Sequence, residues 1–218
     1  MDKKQARAVY GPGWIEIIFG AGLSLVVGII AAAVWLVFKP VVTAKEPSEA
    51  ANQNTVYYLP GVSNANTGRT WMRKKQLLVE GQPGDLVLTE VELNGWAVNA
   101  MKPLSPSSTD TVVPAQINFR IADGLLQIGA PATVNLVGFA IPIVIQTRGD
   151  FQRDGEQFAF VPRELFLGSL ATHRIPNFAP KVLQFIAQIQ PLPADVLEGW
   201  KKLSAVAVEG EHLRVTHP

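Results

Sequence analysis

The sequence predicts an α+β domain with an antiparallel sheet, preceded by one N-terminal transmembrane helix. Three observations support this prediction: an uncharged apolar run near the N-terminus, alternating apolar residues in the middle of the chain, and helical apolar stripes on either side of that middle region. The expected organisation is a cytoplasmic N-terminal tail (1–13), a transmembrane helix (14–39), a linker (40–67) and an extracytoplasmic α+β domain (68–218).

The composition excludes several classes of protein. The 218 residues include no Cys and three His, so disulfides, thiolate chemistry and Cys-ligated metal sites are excluded, and we expect no metal and no cofactor. The formal charge of +1 is far from the basic excess of a nucleic-acid binder, so no nucleic-acid partner is expected. Charged residues make up 17% of the chain, below the ~25% of an ordinary soluble domain.

The apolar run extends from Ile17 to Phe38 and contains no charged residue. At ~1.5 Å per residue it crosses a hydrocarbon core of ~30 Å. Trp14 lies at one end, Trp35 and Lys39 lie at the other, and Pro40 ends the helix. A cleaved signal peptide is the alternative, but its apolar core is usually ~7–15 residues long and is followed by a small-residue cleavage site. The sequence therefore favours an uncleaved anchor.

The charges beside this run predict its orientation. Lys3, Lys4 and Arg7 precede it, whereas Lys39 and Lys45 follow it among acidic residues. The positive-inside rule then places the N-terminus in the cytoplasm and the domain on the periplasmic or extracellular side of the cytoplasmic (inner) membrane.

Small residues recur every fourth position within the run. This spacing predicts a helix face that a second membrane helix can approach closely, although Gly and Ala are also simply frequent in such helices. The residues concerned are Gly20, Ser24, Gly28 and Ala32.

A basic segment, residues 68–76, follows the predicted linker. Its position after a membrane anchor suggests contact with anionic lipid headgroups, and a solvated helix face is an equally good interpretation. The residues expected at the membrane surface are Arg69, Trp71, Arg73, Lys74 and Lys75.

A helix is predicted next, because Thr89 and Glu92 have the spacing of a capping box. One apolar face follows at helical spacing, formed by Leu93, Trp96, Ala97, Ala100 and Met101. Pro103 ends this helix.

Strands are predicted from Ala115 to Phe160. Ile117, Phe119 and Ile121 alternate with polar residues, and Asp123 with Gly124 marks a tight turn. The later run 139–145 is apolar on both faces, and its Pro142 indicates an edge or a bulge.

The C-terminal part combines helices with a last hairpin. Apolar residues at helical spacing are Phe178, Val182, Phe185, Ile186 and Ile189. A short helix at 194–203 and a hairpin with strands at 205–208 and 213–215 complete the predicted α+β domain.

No catalytic constellation is present in the sequence. It contains no Gly-rich phosphate loop, no HExxH and no G-x-S-x-G. Glu90 and Glu92 are two apart on a helix and do not face each other, and His173 precedes a proline in a loop. The sequence therefore predicts a protein without enzyme activity.

Residues 86–101 resemble the opening helix of small bacterial single-pass proteins of the TULIP-like (tubular lipid-binding) superfamily, YpmS type. Their T-E-x-x-L-N pattern is matched by Thr89, Glu90, Leu93 and Asn94. Their glycine, loop and proline before a last apolar helix are matched by Gly168 and Pro176, although residues 171–174 lengthen the loop. The resemblance implies a curved sheet wrapped on long helices, with an apolar interior that holds acyl chains.

Two functions follow as hypotheses. The first is a membrane-anchored module that binds membrane lipid or another hydrophobic ligand in an apolar groove. An ordinary filled core in the place of this groove is an equally good interpretation. Its expected lining is Trp96, Met101, Phe139, Ile141, Ile143, Phe178, Val182, Phe185 and Ile189. The second is a structural or accessory subunit that docks on other membrane proteins through the transmembrane helix and the outer domain.

Overall fold

The N-terminal apolar run forms one continuous helix, α1 (Trp14–Phe38, 25 residues). Among the residues whose structure is described, it is the one helix long and apolar enough to cross a membrane. None of its side chains is buried by the rest of the chain, which is the exposure expected of a helix that lipid surrounds.

The computed structural model describes residues 13–44, 55–64, 68–100, 111–136, 138–189 and 191–218. The chain divides into two structural units, residues 1–37 and residues 38–218. The helices of the second unit are α2 (Gly68–Glu80), α3 (Glu90–Ala100), α4 (Ala179–Ile189) and α5 (Ala194–Lys201), with a 3-10 turn at Thr172–Arg174. Its strands are β1 (Val42–Thr43), β2 (Tyr57–Tyr58), β3 (Gly84–Thr89), β4 (Val112–Pro114), β5 (Asn118–Ala122), β6 (Leu125–Leu136), β7 (Phe139–Asp154), β8 (Gln157–Leu167), β9 (Leu170–Ala171), β10 (Ala205–Glu209) and β11 (His212–His217).

The predicted α+β class with a large antiparallel sheet is confirmed. The large sheet has the strand order β4-β6-β7-β8-β9. β5 pairs with the first residues of β6, on the edge that β4 occupies nearer the end of that strand. A second antiparallel sheet has the order β10-β11-β3, and β1 with β2 forms a short parallel pair. The large sheet is open in the described residues, and the helices of this unit have 8 to 13 residues.

The central strands are longer than the stretches 125–128, 132–136 and 139–147 that the sequence predicts. β6 runs without interruption through Pro131, which pairs with Val144. β7 continues past Thr147 to Asp154, and a bulge at Arg148/Gly149 lets its pairing with β8 continue. Pairing along a neighbour therefore extends these strands beyond the stretches that alternate clearly in sequence.

The core lies between the sheets and α2, α3 and α5. Trp96 of α3 lies between Trp71 of α2, at 5.1 Å between ring centroids, and Phe119 of β5, at 6.2 Å. The helical stripes bury Leu93, Trp96 and Ala97 on α3, and Val182 on α4. The capping box also forms, because Thr89 Oγ1 accepts the Glu92 N–H at 3.3 Å and the Thr89 N–H donates to the Glu92 carboxylate at 2.9 Å.

Part of the interval predicted as a linker is folded onto the domain. Residues 55–64, which we call the strap, cross the face of the large sheet, and Tyr58 is buried. The space for its ring comes from Gly129 of β6, where an added Cβ would lie 2.3 Å from the Tyr58 ring. This contact joins residues far apart in sequence, so the polar composition of the strap does not disclose it.

Candidate functional site

The outer end of the β6–β7 hairpin is an exposed apolar surface of the second unit. No charged residue occurs from Gly124 to Thr147, and an ion pair between Asp123 and Arg148, 2.8 Å from oxygen to nitrogen, lies at the base of this uncharged stretch. We call the exposed apolar residues at its outer end the hairpin end: Leu136, Phe139, Ala140 and Pro142. Val137 of the turn lies outside the described residues.

The pairing of the strands explains this exposure. β6 and β7 pair with each other as far as Leu136 and Phe139, whereas β8 reaches β7 only at Ile145. Ile145, which pairs with β8, is fully buried, and Ile143 two residues further out is also buried, while Phe139 at the outer end is 72% exposed. The same register places Pro142 on the part of β7 beyond β8, which confirms that this proline marks an edge.

The residues expected to line a ligand groove do not share one environment. Trp96, Val182 and the half-buried Phe178 belong to the core cluster. Ile143 is buried and Ile141 is half-buried on β7. Phe139 and Phe185 are exposed, and Met101 and the side chain of Ile189 lie outside the described residues. Aromatic rings fill the space around Trp96, which corresponds to a filled core at that position.

The basic segment lies on α2, and the helix period divides it. Trp71 is 4% exposed, so the expectation that its indole meets a membrane surface is corrected: the ring packs on Trp96. Lys75 pairs with Asp195 at 2.6 Å. Arg73 is exposed, and the side chain of Arg69 is not among those described. Helical spacing thus buries the aromatic residue of a segment that looks uniformly polar in sequence.

Lys74 is committed to the domain itself. Its ammonium donates to the Val87 carbonyl at 2.6 Å and pairs with the Glu92 carboxylate at 2.6 Å. Burial raises the pKa of Glu92, but the hydrogen bonds from Lys74 and Thr89 outweigh it, and the pKa lies below its usual value. Lys74 therefore stabilises the junction of α2, β3 and α3.

A shallow cleft of about 420 Å³ lies between α2 and β3. It is lined by Thr70, Arg73, Lys74, Leu77 and Leu86. Because Lys74 is already paired, Arg73 is the cation that this cleft offers to a ligand.

The motif that carries the TULIP-like resemblance holds the strap. Glu90 accepts the Val62 N–H at 2.6 Å and the Ile121 N–H at 2.9 Å. Asn94 donates to the Val62 carbonyl at 3.1 Å and exchanges two hydrogen bonds with the Phe119 backbone at 2.7 Å. These polar side chains are thus explained by backbone contacts, and this structural role was not foreseen from the sequence.

Two glutamines of the large sheet complete the attachment of the strap. Gln127 donates to the Leu59 carbonyl at 3.2 Å, and Gln146 donates to the Tyr57 carbonyl at 3.1 Å. Both glutamines are buried. Polar residues inside otherwise apolar strands were the available signal, because a buried amide needs a hydrogen-bond partner.

The small residues of α1 are all exposed within the chain. An added Cβ at Gly20 or Gly28 would meet no atom within 4 Å, and Ser24 and Ala32 are also exposed. The helix period places these four on one face, which leaves that face open to a neighbouring helix.

In the described ranges no group of three or more His, Asp or Glu side chains is arranged to hold a metal ion. Comparisons of the chain with protein families, with curated proteins and with solved structures find no match. The resemblance to TULIP-like proteins therefore stays a prediction.

Proposed function

We propose that this chain is a non-enzymatic, single-pass membrane protein whose domain, outside the cytoplasm, binds membrane lipid or another hydrophobic ligand. The length and apolar character of α1 support the anchor. Lys3, Lys4 and Arg7 before α1 support a cytoplasmic N-terminus in the inner membrane.

The observation that carries the proposal is the hairpin end. Leu136 and Phe139 lie in water at 48% and 72% exposure, on a stretch without charge. Full transfer of a Leu or Phe side chain from water to an apolar environment contributes roughly 1.5–3 kcal/mol, and these two residues gain the part of it that corresponds to their exposed fractions. Two such side chains bind weakly alone, but an anchored domain encounters lipid at a high effective concentration.

The TULIP-like fold is part of this proposal in its finer form, a curved sheet around a helix. The match of Thr89, Glu90, Leu93 and Asn94 supports it. Since rings fill the space around Trp96, the proposal assigns ligand binding to the hairpin end and not to the space between α3 and the sheet.

Flotation of the domain (residues 41–218, without α1) with lipid vesicles tests the proposal. At lipid on the order of millimolar, which replaces the effective concentration that the anchor supplies, the domain should float, and Leu136→Asn combined with Phe139→Ser should abolish flotation. The matched control is Leu192→Asn with Leu197→Ser, which removes two other exposed leucines and should leave flotation intact. If the unaltered domain does not bind vesicles and carries no lipid, the proposed function is wrong.

The second candidate is an accessory subunit of a membrane complex, and the open face at Gly20, Ser24, Gly28 and Ala32 favours it. Gly28→Leu should separate α1 from a neighbouring helix and reduce recovery of partners in mild detergent. Gly22→Leu, on another face of the same helix, is the control. Equal recovery with both variants would show that this face carries no contact.

A further inference from the structure

The chain that follows α1 returns to the large sheet at a defined place. Ser169 Oγ donates to the carbonyl of Lys39 at 3.4 Å, and the neighbouring Gly168 N–H donates to the Val144 carbonyl of β7 at 2.9 Å. The residues just after α1 are thus attached beside the point where β8 ends along β7.

A second set of contacts leads to the same part of the sheet. Val42 and Thr43 of β1 pair with Tyr57 and Tyr58 of β2. The Tyr57 carbonyl accepts a hydrogen bond from Gln146 of β7, two residues from Val144. Two independent attachments therefore tie residues 39–43 to one short stretch of β7.

The hairpin end begins close to that stretch. Phe139 lies five residues from Val144 along the paired strand, or about 17 Å at ~3.4 Å per residue. Lys39 directly follows the last residue of α1, so covalent continuity keeps it at the bilayer surface when α1 spans the membrane. The hairpin end therefore begins about 17 Å along β7 from the stretch that holds the residues just after α1.

The chemistry of the hairpin end suits a lipid surface better than a protein partner. The stretch from Gly124 to Thr147 offers no charge to pair with a partner's charged rim. Backbone pairing continues to Leu136 and Phe139, so the two strands satisfy each other's inward-facing backbone groups. Their outer edges still need water, which is compatible with shallow insertion at the level of the headgroups and not with deep insertion. Pro142 on the free edge of β7 opposes the addition of a partner's strand.

We propose that the hairpin end inserts shallowly into the leaflet of the same membrane that α1 crosses, on the side where the domain lies. This inference rests on the proposed function and names its lipid partner as the anchoring bilayer itself. The domain is then held at the membrane by two elements, α1 and the hairpin end.

The absence of Cys from the chain allows a direct test in the full-length protein. Phe139→Cys and, separately, Leu136→Cys are labelled with the environment-sensitive dye NBD, and the protein is reconstituted in phosphatidylcholine–phosphatidylglycerol vesicles. Glu156→Cys, in the polar turn at the opposite end of β7, is the matched control. The labels at 136 and 139 should emit at shorter wavelength and lose most of their intensity when the vesicles contain lipid with a doxyl quencher near the headgroup. The label at 156 should change in neither respect.

Two results would overturn the inference. A water-like, unquenched label at 139 would show that the hairpin end points away from the bilayer. A blue-shifted label that doxyl lipid does not quench would show that a protein or a second copy of the chain covers it. In either case the proposed function is kept if the domain without α1 floats with vesicles and the hairpin variant does not. If the unaltered domain also fails to float, both the inference and the proposed function are wrong.

Discussion

Replacement of Gly61 by alanine is expected to detach the strap, because no space exists for a side chain there. An added Cβ would lie 1.9 Å from the Phe119 carbonyl oxygen and 2.8 Å from Nδ2 of Asn94. The backbone of the strap must move away, and with it go four hydrogen bonds: those of Gly61 with Asn118 in both directions, Val62 N–H to Glu90, and Asn94 to the Val62 carbonyl.

The magnitude follows from these contacts. Each of these four hydrogen bonds contributes about 1 kcal/mol net. The released residues regain backbone freedom, about 1–2 kcal/mol for each one, which offsets part of the loss. We therefore expect the free energy of strap docking to fall by about 2–4 kcal/mol. This change raises the population of molecules with an open strap on the order of a hundredfold.

Chymotrypsin measures this opening, since cleavage after Tyr57 and Tyr58 requires the strap to leave the sheet. When opening is faster than cleavage, the cleavage rate follows the open population. Ser63→Ala changes an exposed residue of the same strap and serves as the control. If Gly61→Ala is cleaved at the Ser63→Ala rate, the close packing of the strap is refuted.

Four further predictions concern the titrating groups and the packing of the domain. The pKa of Glu92 is lower in the folded state than its ordinary value of 4.5. Its contribution to stability is therefore full above pH 4.5 and is lost as the pH falls through the folded pKa. In denaturation experiments Glu92→Gln should be less stable than wild type at pH 7, and the two proteins should become equally stable in acid. Burial raises the pKa of Tyr58 from 10.0 to about 12, so the free energy of unfolding should fall as the pH rises between these values. Tyr58→Phe should lose less stability over this pH range. Urea unfolding measures the stability, and tyrosinate absorbance reports the ionisation. Trp96→Ala should cost about 3–5 kcal/mol in urea unfolding. Phe185→Ala should cost less, about 1–2 kcal/mol, because Phe185 is 38% exposed.

The role of the strap changes how the T-E-x-x-L-N motif is understood. Glu90 and Asn94 hold backbone groups of the strap and of β5, so removal of either leaves backbone N–H groups without these partners. Glu90→Ala and Asn94→Ala would therefore act on folding, and a loss of lipid binding in these variants would report on stability first. The hairpin variants are better tests of function, because their side chains are exposed.

The sequence by itself determined what depends on neighbours along the chain. The uncharged run that forms α1, the capping box at Thr89 and Glu92, and the apolar stripe through Leu93 and Trp96 are all local patterns. Each one follows from the period of its own element, and each is found in the structure. The exposed edge at Pro142 is also predicted locally, since proline has no N–H to donate to a second neighbouring strand.

Only the tertiary structure decided what depends on residues distant in sequence. The strap carries little local pattern, yet side chains 57 to 89 positions away bind its backbone at Gly61 and Tyr57. Trp71 lies among basic residues and is buried because Trp96 is opposite it. Phe139 and Ile143 belong to one apolar run and both lie beyond the end of β8, yet Ile143 is buried by the rest of the domain and Phe139 is exposed. Burial of an apolar side chain is favourable wherever it lies in the sequence, but whether it is buried depends on which strands and helices pack against it.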